Sequence, residues 1–295
     1  DYVIDKITLE DLMVLMIKGN EENIGTLYIV ATPIGNLEDI TIRAINILKN
    51  VDLIAAEDTR HTLKLLNHFD ISKPLISYHR HNEDVKTEKL MNKLKEGKNI
   101  ALVSDAGTPG ICDPGEEVIK KCIEEHIKIV PIPGAVAMIN ALICSGLDTN
   151  EFVFLGFLPL NKKNRQEKLN QIKNETKTLI LYEAPHKLEN TLKELKQIIS
   201  DRKIVLAREL TKIHEEYLRE DIDILIQKAE NIKGEIVLII EGSKIQEENS
   251  ILNMPLEEHY NYYEKEGLSK KEIIKKIAKD RKVNKNEIYQ YFLKK

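Results

Sequence analysis

Three stretches of this chain bring a proton acceptor next to a cation. Glu57-Asp-Thr-Arg-His61 packs two carboxylates, a guanidinium and an imidazole into five residues. His79, His81 and Glu83 stand around Arg80, and Arg208, Glu209 and Lys212 form the third group. A carboxylate or imidazole can take a proton from a hydroxyl, and a neighbouring cation can steady the resulting anion, so each stretch carries the parts of general-base chemistry. Each also has a plainer use. Glu57 and Asp58 are the residue types that cap a helix starting near Thr59. His79 and His81 have the spacing of a metal pair, but no third ligand follows at a suggestive distance, so no metal is expected. Arg208 and Lys212 could serve as surface partners of Glu209 and Glu215, or as cations for phosphate.

Two loops rich in Gly and Pro stand beside these groups. One ends the run Leu27-Tyr-Ile-Val-Ala-Thr-Pro-Ile-Gly-Asn36, the other the run Ile100-Ala-Leu-Val-Ser-Asp-Ala-Gly-Thr-Pro-Gly110. Each follows a short apolar strand pattern and precedes a helical one, the place where open α/β sheets bind ligands. Neither has the GxxxxGK[ST] or GxGxxG spacing of the usual nucleotide loops. Gly107 and Gly110 permit close approach or positive φ, and Pro109 limits loop entropy, so the second loop offers backbone amides and carbonyls to a polar, uncharged or zwitterionic ligand.

The elements that must hold these groups alternate. Strand patterns at Thr26–Thr32, Asp52–Ala56, Pro74–Ser77, Asn99–Ser104 and Ile127–Pro131 are separated by helical ones at Thr41–Lys49, Thr59–Phe69, Asp84–Lys95 and Pro114–Glu125. Such alternation predicts a mostly parallel sheet with helices on its faces. After Pro131-Ile-Pro-Gly134 an apolar helix is expected over Ala135–Cys144, with a hinge or boundary between Pro133 and Asn150. A second block has strand patterns at Phe152–Gly156, Thr178–Tyr182, Lys203–Ala207, His214–Arg219 and Glu235–Glu241. Its helices are expected at Asn164–Lys173, Pro185–Ser200 and Asp221–Ala229, where His186 could start a helix or contact a substrate. Gly242–Ser250 reads as a linker. Pro255–Lys295 reads as helical, with amphipathic pieces Lys270–Asp280 and Lys285–Leu293 in a helix-turn-helix-like order. The expected divisions are an N-terminal extension over 1–24, α/β domains over 25–136 and 150–245, and a basic helical module over 255–295.

The 295 residues carry a formal net charge of −4, yet Lys265–Lys295 holds eleven Lys/Arg against four Asp/Glu, a net of +7. Such asymmetry points to a basic appendage facing a polyanion, or to a solvated helical face. The chain has no apolar run of transmembrane length. Asp1 to Asn23 lack the pattern of a signal peptide. The three cysteines, Cys112, Cys122 and Cys144, form no CxxC pair. A reduced, cytoplasmic protein is expected.

Taken in order, these motifs resemble the tetrapyrrole methylase family, and within it the branch of small-subunit ribosomal RNA methyltransferases. The resemblance is carried by Thr32-Pro-Ile-Gly-Asn-Leu-Glu-Asp39, Ala55-Ala-Glu-Asp-Thr-Arg-His61, Ser104-Asp-Ala-Gly-Thr-Pro-Gly110 and Asp113-Pro-Gly115. Tyr182-Glu183, Pro185-His186, Ala207-Arg-Glu-Leu-Thr-Lys212 and Lys233-Gly-Glu-Ile-Val237 follow. The match runs from about Gly25 to Glu241, and Gly267–Leu293 resembles the branch's C-terminal module.

The resemblance implies two α/β domains with an S-adenosyl-L-methionine cleft between them, a small helical module, and a homodimer. The implied reaction is methylation of the ribose 2′-hydroxyl of a cytidine in the decoding region of 16S rRNA. It further implies cofactor contacts from Pro33 and Gly35, from Gly107, Thr108, Gly110 and Ile111, from Pro133, Gly134 and Ala135, and from Tyr182, Ala207 and Gly234. The chain departs from the family pattern at Ala135-Val136-Ala137, Cys112 and Arg80. A ribose hydroxyl is a poor nucleophile at neutral pH, so Glu57 or His79 is the expected base, with Arg60 and Arg208 positioning RNA or an oxyanion. Two other readings remain open: a C-methylase of a small tetrapyrrole on the same fold, and a non-catalytic RNA-binding assembly factor.

Overall fold

The computed structural model describes residues 24–199, 201–244, 254–265 and 267–293. The N-terminal extension expected over 1–24 and the linker expected over 242–250 lie largely outside the described residues. The chain divides into two compact units, one running to Asn140 and including Glu209–Glu216, the other comprising Ala141–Arg208 and Tyr217–Lys295.

The first unit is built on five parallel strands: β1 (Leu27–Val30), β2 (Leu53–Ala56), β3 (Leu75–Ser77), β4 (Ile100–Val103) and β5 (Ile129–Ile132), in the order β3-β2-β4-β1-β5. Every residue of β2 and β4 is buried, which is why both read as unbroken apolar runs rather than alternating ones. Alternation is present nonetheless. Leu27, Leu53, Ala55 and Ile100 join one core with Leu90, Met91, Leu94, Val118 and Cys122, while Val30, Ile54, Ala56 and Ala101 join another with Ala44, Leu48 and Leu66. The helices supplying these partners are α1 (Ile42–Asn50) and α2 (Thr59–His68) for one layer, and α3 (Glu83–Lys95) and α4 (Glu116–Glu124) for the other. β5 accepts Pro131 because it is an edge strand, where the missing N–H costs no central ladder bond. A short helix, α5 (Ala137–Ile143), follows it.

The second sheet contains β6 (Phe152–Phe157), β7 (Thr178–Glu183), β8 (Ile204–Arg208), β9 (Glu216–Leu218) and β10 (Ile236–Ile240), in the order β6-β7-β10-β8-β9. β6 is parallel to β7, whereas β10 runs antiparallel to both β7 and β8. Its main core joins Leu179, Leu181, Leu206 and Leu238 to Leu169, Ile172, Leu188, Leu192, Leu195 and Leu225. These come from α6 (Lys162–Asn174), α7 (Pro185–Ile199) and α8 (Ile222–Lys228).

Three further helices, α9 (Leu256–Lys265), α10 (Lys270–Asp280) and α11 (Lys285–Leu293), share a separate core of Tyr263, Ile273, Ile274, Ile277, Ala278 and Ile288. A buried polar pin joins α9 to α10. Arg281 Nε donates to His259 Nδ1 at 3.1 Å, and Tyr263 OH donates to Asp280 Oδ2 at 2.6 Å. Because the apolar side chains of α10 turn inward, Lys270, Lys271, Lys275, Lys276 and Lys279 are exposed. No helix among the described residues is long and apolar enough to cross a membrane.

Candidate functional site

Parallel strands end on one edge, so the loops after β1 to β5 meet there by construction. On one side of that edge the contacts are between backbones. Thr32 and Gly107 form an isolated antiparallel bridge, N to O at 2.8 and 3.1 Å. Thr108 Oγ1 donates to Ala135 O at 3.3 Å, tying the β4 loop to the β5 loop. Gly107 stands at φ +80°, and a Cβ there would lie 3.2 Å from Ile34 Cγ2. A Cβ on Gly134 would lie 2.8 Å from Ala31 Cβ, too close for any other residue without a shift. Thus Gly107, Thr108, Gly134 and Ala135 come together with the start of the first loop. Pro33 is half-buried; Gly35, Gly110, Ile111 and Pro133 are exposed along the same loops.

On the other side of the edge the groups titrate. Glu57 directly follows β2, and its Oε2 accepts from Asp105 N at 3.5 Å. Asp105 in turn accepts from Asp58 N at 3.0 Å. Burial, and then the charge of Asp105, raise the Glu57 carboxyl above its usual range, while Arg80 and His79 pull it back. Asp113 is pushed up to about 6 by burial and by Glu57, against the Ser104 hydroxyl and Arg80. Arg80 lies across this group with its guanidinium donating to Cys112 O.

His79 is held in one orientation. Asn82 Oδ1 accepts from His79 N at 2.9 Å, which turns the amide Nδ2 toward His79 Nε2 at 3.0 Å. Nε2 is therefore the acceptor, and in the neutral ring the proton sits on Nδ1. That Nδ1 is buried with no hydrogen-bond partner among the described residues. Glu83 serves the backbone, accepting from Gly115 N at 2.9 Å.

The capping use suggested for Glu57 and Asp58 belongs to Asp58 alone. Its Oδ1 accepts from Arg60 N at 2.8 Å, and its Oδ2 pairs with Arg60 Nη2 at 2.9 Å. These bonds hold Asp58 down to about 2. The Arg60 side chain is 89% exposed and turned to Asp58. The structure thus brings Glu57 together with His79 and its neighbour Arg80, and adds Asp105 and Asp113, which sequence reasoning had not grouped with them. No cluster of His, Cys, Asp or Glu among the described residues has metal-holding geometry.

In the second unit, Tyr182 of β7 and Ala207 of β8 both pair with Val237 of β10, so they flank it in one row. The Tyr182 ring rests against Phe154 and Phe157, with centroids 4.9 and 5.7 Å away. Arg208 ends β8, and its Nη1 donates to Lys233 O at 3.4 Å, beside Gly234 at φ +89°. His186 is exposed in the first turn of α7.

A network that sequence reasoning missed anchors this corner. Glu183, 5% exposed, accepts from Ala184 N at 2.7 Å and from Thr191 Oγ1 at 2.5 Å. Arg165 Nη2 donates to the same Thr191 hydroxyl at 2.8 Å and to Glu194 at 2.6 Å. Only the acid at a strand end, with a threonine two helical turns on, signalled it.

Residues 26–225 match the family of Tetrapyrrole (Corrin/Porphyrin) Methylases. A protein of Halalkalibacterium halodurans named Ribosomal RNA small subunit methyltransferase I is 50% identical over 273 residues, covering 91% of this chain and 94% of its own. The Bacillus subtilis protein of the same name is 46% identical, covering 92% and 95%. Among solved structures, diphthine synthase aligns with a TM-score of 0.60 at 14% identity, over 74% of this chain and 90% of that one. Cobalt precorrin-4 methyltransferase, a cobalamin biosynthetic enzyme, aligns with a TM-score of 0.56 at 16% identity, over 73% and 94%. At these identities the two structures bear on the fold alone.

Proposed function

The chain belongs to the tetrapyrrole methylase family, and from that membership we propose that it methylates the ribose 2′-hydroxyl of a cytidine in the decoding region of 16S rRNA. At the coarser level it is an S-adenosylmethionine-dependent methyltransferase of small-subunit ribosomal RNA. The observation that carries this reading is the 50% identity, over 91% of the chain, to a relative so named. The exposed lysines of α10 suit a polyanionic substrate.

The loops at the edge of the first sheet fit S-adenosylmethionine. Gly110 stands at φ +84°, and only Ile119 Cδ1 comes within 4 Å of where its Cβ would be, at 3.7 Å. With Gly107, it leaves bare backbone at the strand ends for a zwitterionic ligand. Pro33, Gly35, Gly107, Thr108, Gly110, Ile111, Pro133, Gly134 and Ala135 would hold the cofactor. Tyr182, Ala207 and Gly234 take the same role on the second sheet. When bound, S-adenosylmethionine supplies a methyl group activated on a sulfonium.

The protein's own share of the chemistry is positioning and proton removal. Holding the ribose oxygen in line with the methyl carbon supplies much of the rate. Glu57, its carboxyl raised above the usual range by burial, takes the hydroxyl proton; His79, the other expected base, has its Nε2 engaged by Asn82 and its ring proton on Nδ1, so it serves beside Glu57 and does not replace it. Arg60 and Arg208 position the RNA backbone. The enzyme acts in the cytoplasm as a homodimer on the small ribosomal subunit.

The test is transfer of labelled methyl from S-adenosylmethionine to small subunits lacking the modification, with the labelled position mapped. Label on one cytidine 2′-oxygen is expected. Cofactor binding without label on RNA would refute the reading, and a porphyrinoid screen would follow.

A further inference from the structure

The segment 209–216 is built under strain. Glu209 has φ +51° and Thr211 φ +65°. Left-handed backbone is uncommon for any residue other than glycine and a clear outlier for a β-branched one. Such conformations persist only where their surroundings over-determine them, and they gather at ligand clamps and active sites. Here the surroundings are local bonds. Lys212 N donates to Glu209 O and Glu215 N to Lys212 O, both at 3.0 Å, and Thr211 N donates to Glu215 Oε2 at 2.6 Å. The turn leaves Thr211 Oγ1 buried with no partner among the described residues.

The strained turn has one evident consequence, the place it gives Lys212. The Lys212 stem lies across Gly35 of the first loop. A Cβ on Gly35 would be 2.4 Å from Lys212 Cγ and 2.8 Å from its Cε. Gly35 is thus a glycine because a lysine stem occupies its side-chain space; its φ lies outside the left-handed range that requires one. The ammonium is fixed as well, 2.9 Å from Glu209 Oε1. An ammonium carries three donors, so a carboxylate and a phosphate can be held at once. The tip beyond it is open to a polymer, with Ile213 98% exposed.

We propose that Lys212, mounted by the strained 209–216 turn across Gly35, binds a phosphate of the RNA substrate next to the first loop. Gly35 then acts as a positioning residue for that lysine. This rests on the RNA reading above. A lysine suits the task because it is a compact point charge that meets phosphate without needing a planar fork.

The experiment uses the full chain, unmodified small ribosomal subunits and, separately, S-adenosylmethionine alone. Lys212→Ala should weaken subunit binding about tenfold and lower the slope of log affinity against log salt by about one. Its affinity for S-adenosylmethionine by calorimetry should stay within about twofold. Gly35→Ala should weaken subunit binding when Lys212 is present and add nothing in the Lys212→Ala background, where the added Cβ finds room. An unchanged salt slope in Lys212→Ala, a loss of cofactor affinity in place of RNA affinity, or additive effects of the two substitutions would each overturn the proposal. A wild-type protein that neither binds nor labels subunits would instead overturn the RNA reading, and this proposal with it.

Discussion

Thr191→Val isolates the network under the β7–α7 corner with little change of shape. The Thr191 hydroxyl donates to Glu183 at 2.5 Å and accepts from Arg165 at 2.8 Å, and Thr191 is 1% exposed. Valine puts a methyl where the hydroxyl was. Arg165 keeps Glu194 at 2.6 and 2.9 Å, so it is not orphaned. Glu183 keeps only Ala184 N, at 2.7 Å, among these bonds. The cost is one hydrogen bond to a charged group, about 1.5–3 kcal/mol, with part of the penalty for a buried acceptor left unmet. A total of roughly 2–4 kcal/mol follows, or about 5–15 °C in the melting of this unit.

Glu183→Gln should cost less, roughly 1–2 kcal/mol, because the carboxamide oxygen can keep Ala184 N while its NH2 donates to the Thr191 hydroxyl, so one contact is reversed and none is left empty. Thermal and urea unfolding of both single variants and the double variant would give the coupling directly. The double variant should be milder than the sum of the singles by about 1 kcal/mol or more. A Thr191→Val variant that loses under about 0.5 kcal/mol, within the range of an ordinary surface change, would refute the reasoning, as would strict additivity.

Four other outcomes are expected. Glu57→Gln should cut turnover by about 100-fold or more while S-adenosylmethionine affinity holds; equal losses in both would remove Glu57 as the base. Asp113 titrates at about 6 when folded, above the ordinary carboxyl, so it keeps a proton that the unfolded chain has lost between about pH 4 and 6. Its contribution is whole below about pH 4 and lost as pH rises through 6, so Asp113→Asn should raise the melting temperature at pH 8 and leave it unchanged at pH 4. Glu57→Gln should also lower the Asp113 midpoint followed by carboxyl NMR, since Glu57 is part of what raises it. Changing Lys271, Lys275 and Lys279 together to Gln should flatten the salt dependence of subunit binding without melting the module, whose core residues Ile273, Ile274 and Ile277 face inward. An unchanged slope would count against an RNA role for α10.

The first sheet was legible because its strands are short, apolar and bounded by loop chemistry. Leu53–Ala56 and Ile100–Val103 are buried throughout and could be little else. The start of α1 was legible at Thr41, whose side chain caps it, whereas α6 begins at Lys162 behind its Asn161 cap, ahead of the expected Asn164. The order of the second sheet was not. Ile236–Ile240 is buried on both faces, and an unbroken apolar run carries no sign of its direction or its neighbours. The strand expected over His214–Arg219 shrinks to Glu216–Leu218 because it emerges from the strained 209–216 turn, and no residue type there announces positive φ. Within the site, residue type marked Glu57, Asp58 and His79 but could not divide their roles. That division rests on Asp105 and Asn82, one of them 48 positions from Glu57 in the chain.

The loop after β4 would let one sheet edge serve both the ligand binding and the proton transfer proposed for it. β4 lies between β2 and β1, so its loop has the titrating groups on one flank and the backbone surface on the other. It is fastened to both. Toward β1 and β5 it gives Gly107 to Thr32 and Thr108 to Ala135. Toward β2 and β3 it gives Asp105 to Asp58, Cys112 O to Arg80 and Gly115 N to Glu83. A loop bonded on both flanks cannot shift the glycine backbone at Gly107 and Gly110 without also shifting Asp105 and Asp113. For a reaction whose rate depends on holding an oxygen in line with a carbon, coupling of this kind is an advantage, because binding and alignment are then set by the same few bonds. Arg60 is tied to the same set: it bonds Asp58, whose backbone N–H is held by Asp105 of this loop, so a substrate that engages Arg60 meets a group aligned with the chemistry.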